Sequence, residues 1–155
     1  MEHYLIVKWL HVVSSTLLFG TGIGSAFYLL VTTLSRDVHA IASVARTVVI
    51  ADWLFTATTA VFQPLSGFYL AHVAGMSLSA RWLWWSVVLY AAAIACWLPV
   101  LWLQVRLRDL AVEAQRQGAA LPPAYGRLFR VWVALGVPAF FAFVAIFYLM
   151  TVKPS

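Results

Sequence analysis

The stretch "LHVVSSTLLFGTGIGSAF", residues 10–27, places a histidine, two adjacent serines and a glycine run inside a segment that is otherwise apolar. Its reading decides the fold. The letters GTGIGS suggest a dinucleotide fingerprint, but that motif works only where its glycines follow a strand and open a helix, so that free backbone N–H groups meet a pyrophosphate. Here the glycines fall mid-way along an apolar run from Tyr4 to Leu34. That run exceeds the roughly 20 residues a helix needs to cross a bilayer. The stretch is therefore a membrane-spanning helix.

The rest of the chain follows the same pattern. Of its 155 residues, 64% are hydrophobic and 10% charged, outside the range of a soluble globular domain. Apolar spans cover approximately residues 4–34, 46–73, 82–105 and 129–152. Backbone groups in lipid must be satisfied internally, and continuous rather than alternating apolar runs favour helices over barrel strands. The sequence predicts an all-α, four-helix integral membrane bundle forming a single domain over residues 1–155. The first segment is too long for the apolar region of a signal peptide and is read as a retained span. Cys96 is the only cysteine and reads as a packing residue.

A formal charge of +5 raises the question of nucleic acid, but its distribution points to topology instead. Arg36 and Arg46 flank the first loop, and Arg106, Arg108, Arg116, Arg127 and Arg130 surround the third, whereas Lys8, Arg81 and Lys153 belong to the opposite side. The positive-inside rule places the first and third loops in the cytoplasm and both termini in the periplasm of a bacterial inner membrane. Asp37 is expected to cap a helix that runs on through the second span, and Pro64 in "QPLSG" is expected to kink it. "RLRDLAVEAQRQG" reads as a charged cytoplasmic extension of the third helix, ending at Gly118, before the fourth.

On an α-helical wheel, Lys8, Ser14, Ser15, Leu18, Gly22 and Ser25 share the face of His11. Gly20 and Gly24 lie opposite, at the small-xxx-small spacing that lets two membrane helices approach closely. Gly22 leaves room for a flat group on the histidine face. Ionisable side chains within a bilayer are costly and are candidates for function, and histidine is a common axial ligand of haem. On the second helix, Asp52, Thr56, Thr59, Gln63 and Ser66 follow helical spacing as one interior stripe, with Gln63 near the depth of His11. Interhelical hydrogen bonding is the simplest role for that stripe. His72, Met76 and Met150 lie at the outer level, and His72 or Met150 is the candidate second iron ligand. Asp52 is expected to pair with Arg46, Arg106 or Arg130.

Through "KWLHVVSSTLLFGTGIGSAFYL", "VVIADWLFT", "QPLSG", "CWLPVLWLQVRLRDLA" and the last span, the chain resembles a bacterial family of predicted four-helix integral membrane proteins that carries no assigned activity. More remotely it resembles the HemJ-type protoporphyrinogen IX oxidases, which bind haem b, through Lys8 to His11, a following glycine, and Pro138 with Val152-Lys153-Pro154. That resemblance implies haem b at His11. The oxidases' lysine early in the third span, Asn-Glu pair before the last-span proline and arginine late in the first span are replaced here by "WLWWSVV", Gly136-Val137 and "FYLLVTTL". The expectation is a haem-b-binding redox protein for electron transfer or porphyrin metabolism, with Ser15, Gly22, Gln63 and His72 around the cofactor. The alternative is a non-enzymatic membrane subunit or homodimer packed through Gly20 and Gly24. Either implies contact with the lipid bilayer, and a homodimer or a redox partner, and neither involves nucleic acid.

Overall fold

The computed structural model describes residues 2–154 and contains four long helices: α1 (Glu2–Ser35), α2 (Val38–Val73), α3 (Arg81–Gln117) and α4 (Pro123–Val152). Each is long and apolar enough to span a membrane, and the described residues contain no strand. Large apolar side chains such as Trp9, Leu34, Leu65 and Phe141 point outward. In water that surface would be a liability, and in lipid it is the matching solvent.

Helix ends follow local chemistry. After α1, Arg36 adopts a left-handed conformation, φ 59°, and Asp37 then caps α2 by accepting from the N–H groups of His39 at 2.9 Å and Ala40 at 3.2 Å. Gly118, φ 63°, ends α3 with its N–H on the Gln115 carbonyl and that of Ala119 on Ala114, the glycine-terminated closure expected from the sequence. Pro123 opens α4, where its missing N–H costs nothing.

The core is concentrated at the end of the bundle that carries the Arg36 and Gly118 turns, hereafter the basic end. Ala42 and Ala45 of α2 and Ala111 of α3 are almost fully buried, and their small size brings the two helices close enough for Ile41 and Leu107 to seal the space between. Tyr125 of α4 is buried among them and shares a 2.9 Å hydrogen bond with Thr33 of α1. Phe129 stacks between Tyr125 and Trp132, with ring centroids 6.1 and 5.5 Å away, and extends the packing along α4.

Away from this end the bundle loosens. α3 stays paired with α4 and α1 with α2, but α1 and α4 barely touch, and Phe19 bridges them by stacking on Phe140 and meeting the edge of Phe147. The departure from α-geometry in α2 is not where the proline suggested. Helix continues through Pro64, while residues Asp52–Thr56 form a π turn in which the Ala57 N–H reaches back to the Asp52 carbonyl. Such turns accommodate one extra residue and recur at functional sites.

Candidate functional site

Two polar constellations lie within the spans. The first joins α1 to α2 near the end that carries both termini. The ring of His11 meets Ser66, with Nδ1 2.7 Å from Oγ. Gln63 donates its amide N–H groups to the His11 carbonyl at 2.9 Å and to Ser14 Oγ at 3.0 Å. Gly67 lets the imidazole approach: a methyl group at that position would sit 3.4 Å from His11 Cε1. Glutamine, serine and glycine of "QPLSG" thus lie against the histidine of "LHVVSS".

The tautomer follows from the neighbours. Ser66 Oγ lies 2.7 Å from the Phe62 carbonyl of its own helix, an oxygen that can only accept. With its single hydrogen directed there, Ser66 can accept from His11 Nδ1, the tautomer in which Nε2 keeps its lone pair. Ligating histidines are prepared in this way, by a hydrogen bond at the ring nitrogen that does not bind the metal.

The stripe expected on α2 is buried throughout, with Asp52, Thr56, Thr59, Gln63 and Ser66 all below a tenth exposed. Its members do different things. Gln63 and Ser66 bond across to α1, Thr59 bonds back to the Phe55 carbonyl, and Thr56 donates to Asp52 Oδ1 at 2.9 Å. The expected pairing of Asp52 with Arg46, Arg106 or Arg130 is incorrect. Among the described residues the ion pairs are Arg108 with Asp109 and Arg116 with Glu113, both in the charged extension. The π turn instead sets Asp52 inward, 2% exposed, beside Trp97 and Gln104 of α3.

Asp52 and Thr56 belong to the second constellation, a cavity of about 390 Å³ between all four helices. Gly22 and Ser25 line it, together with Trp97, Gln104, Trp132 and Gly136. Trp97 Nε1, Gln104 Oε1 and Trp132 Nε1 are buried without a hydrogen-bond partner. His11 does not line this cavity. The structure therefore divides the predicted face in two: His11 and Ser14 face α2, while Leu18, Gly22 and Ser25 face the cavity.

The remaining candidates lie apart. Ser15 bonds to its own backbone at the Val12 carbonyl, His72 is exposed in the last turn of α2, and Met150 is 37% exposed near the end of α4. Among the described residues no cluster of three or more His, Cys, Asp or Glu can hold a metal ion. Gly20 and Gly24 do not pack against another helix of the chain, because a methyl group added to either would meet nothing within 4 Å. They border an open groove between α1 and α2, with Thr16, Thr47 and Val48.

The sequence reading did not single out Trp97, Gln104 and Trp132. Gln104 carried a signal, as an amide close to the end of an apolar span, whereas the two indoles were indistinguishable from interfacial tryptophans. No curated protein and no solved structure matches the chain. A family model for a predicted integral membrane protein, DUF2269, matches residues 5–154. The match covers nearly the whole chain and agrees with its four long apolar helices, and the chain belongs to that family of integral membrane proteins.

Proposed function

We propose that the protein is a haem-b-binding redox protein of the bacterial inner membrane, with His11 as an axial ligand and both termini in the periplasm. The observation that supports this reading is the Ser66 contact with His11 Nδ1, which suits the tautomer whose Nε2 lone pair is free for a metal. The donor fits the group, since a porphyrin brings four nitrogens of its own and requires one axial imidazole from the chain. Bound haem would supply the one-electron chemistry. Ser66 holds the His11 ring at Nδ1, and Gln63 ties the backbone carbonyl of the same residue to α2.

The test is the visible absorption spectrum of the protein purified from haem-replete cells. A Soret band in wild type that His11→Ala abolishes supports the reading. A colourless wild type that takes up no added haemin, or an unchanged spectrum in His11→Ala, overturns it.

The open groove at Gly20 and Gly24 favours a second reading, a homodimer that closes on this face. It predicts that Gly20→Leu with Gly24→Leu abolishes cross-linked dimers while leaving the monomer's thermal stability intact. Persistence of the dimer in that variant would rule the reading out.

A further inference from the structure

The cavity beside Asp52 plays no part in the histidine site and is built as a site of its own. Its volume, about 390 Å³, lies in the range of small-molecule pockets, about 300–1,000 Å³. Gly22 and Gly136 keep it open, because a methyl group built on either meets no atom within 4 Å. Polar groups gather at one part of an otherwise apolar wall. There Asp52 accepts from Thr56 and has Trp97 and Gln104 beside it, and among the described residues the indole nitrogens of Trp97 and Trp132 and the amide oxygen of Gln104 make no well-formed hydrogen bond.

Unpaired polar atoms in a membrane interior are costly, on the order of 1–3 kcal/mol each, and call for a missing partner. Indole N–H groups only donate, so Trp132 lacks an acceptor, and Trp97 has only the Asp52 carboxylate, which Thr56 also uses, beside it. All three side chains belong to the lining of the cavity. The charge of that molecule is also constrained. No Lys or Arg lines the cavity, so an anionic head would find no counter-ion and would face Asp52.

The route in is lateral. α1 and α4 barely touch, and the cavity residues on either side of the gap, Phe27 of α1 and Phe141 of α4, are 59% and 63% exposed. On the lipid side this is an opening between two apolar helices, suited to a molecule already dissolved in the bilayer.

We propose that this cavity binds an uncharged, lipid-soluble molecule whose polar end carries carbonyl oxygens, entering from the bilayer between α1 and α4 and placing those oxygens against Trp97 and Trp132. Gln104 and Asp52 complete the polar end and accept a hydrogen bond from any hydroxyl the head also carries. The proposal does not depend on haem at His11, which lies outside the cavity.

The experiment uses the full chain in lipid nanodiscs with tritiated decylbenzoquinone as the probe and decylbenzene, which has the tail and ring without the carbonyls, as competitor. The expected result is saturable binding of one probe per chain, displaced by unlabelled quinone and not by decylbenzene. It is weakened about tenfold or more by Trp97→Phe with Trp132→Phe, as expected for two lost hydrogen bonds, and lost in Gly136→Leu. Gly22→Leu is a second filling variant from a different helix, so a folding defect in one does not decide the outcome. Non-saturable uptake, wild-type binding in both filling variants, or displacement by decylbenzene as effective as by quinone overturns the proposal, the last leaving only an acyl-chain slot. The haem spectrum of Gly136→Leu should match wild type, which separates failure here from failure at His11.

Discussion

The hydroxyl of Tyr90 in α3 donates to the carbonyl of Ala60 in α2, the acceptor that Pro64 cannot serve because its ring nitrogen has no hydrogen. A helix that loses one of its own bonds within the membrane has borrowed a donor from its neighbour. This cross-helix repair accounts for α2 remaining helical through the proline.

It predicts that Tyr90→Phe lowers stability by about 1–2 kcal/mol, since an orphaned carbonyl in lipid finds no water. Pro64→Ala restores the internal donor, so the double variant should lose much less than Tyr90→Phe alone. Unfolding in mixed micelles gives all the corners of this cycle, and simple additivity would show that the two residues do not share the Ala60 carbonyl.

Among the described residues Asp52 has no cation partner, so neutralising it should cost little. Asp52→Asn keeps an oxygen for Thr56, and the expected loss is below about 1 kcal/mol, whereas breaking a buried ion pair would cost about 3–5 kcal/mol. Arg46→Ala, Arg106→Ala and Arg130→Ala should likewise leave the thermal midpoint near wild type in detergent. A large loss in any one of these would restore the ion-pair reading.

Gln63 ties α1 to α2 at two acceptors. Gln63→Leu keeps the bulk and removes both bonds, with an expected cost of about 1–2 kcal/mol. Under the haem reading it also loosens the backbone behind His11, so the Soret band should shift or broaden rather than vanish. Loss of colour equal to that of His11→Ala would make Gln63 more than a positioning residue.

Capping chemistry can be tested at Asp37, which closes the start of α2 outside the apolar span. Asp37→Ala should cost about 1 kcal/mol and Asp37→Asn much less, because asparagine also accepts from the exposed N–H groups. Equal losses would mean that charge rather than the acceptor oxygen matters.

The proposed topology has a direct test in cells. An alkaline phosphatase fused after Lys153 should be active, and one fused after Gly118 inactive, since the enzyme folds only outside the cytoplasm, where its disulfides form. The reverse pattern would invert the bundle.

Much of the architecture was legible because membrane helices announce themselves by length and apolarity. The ends were equally readable where a single residue type enforces them, as at Asp37 and Gly118. Burial of the α2 stripe also followed from spacing. What helical spacing could not supply was pairing across helices. The wheel put His11 and Gly22 on one face, but helix packing directs one to Ser66 and the other to a void between α1 and α4. Asp52 was misassigned because a sequence places arginines by depth and not by direction, and because nothing in "ADWLFTA" signals a π turn. The tryptophans at the polar end escaped notice because in a chain with eight of them each looks like another interfacial anchor.

The π turn at Asp52–Thr56 acts as a molecular ruler in this chain. It holds one residue more than an α-helix would over the same rise, so a relative with one residue fewer between Ala51 and Ala57 would keep the bonds of Gln63 and Ser66 to α1 while swinging its carboxylate about 100° around the axis. Among relatives, an aspartate in this turn therefore carries information about the cavity only when the length of the turn is kept as well.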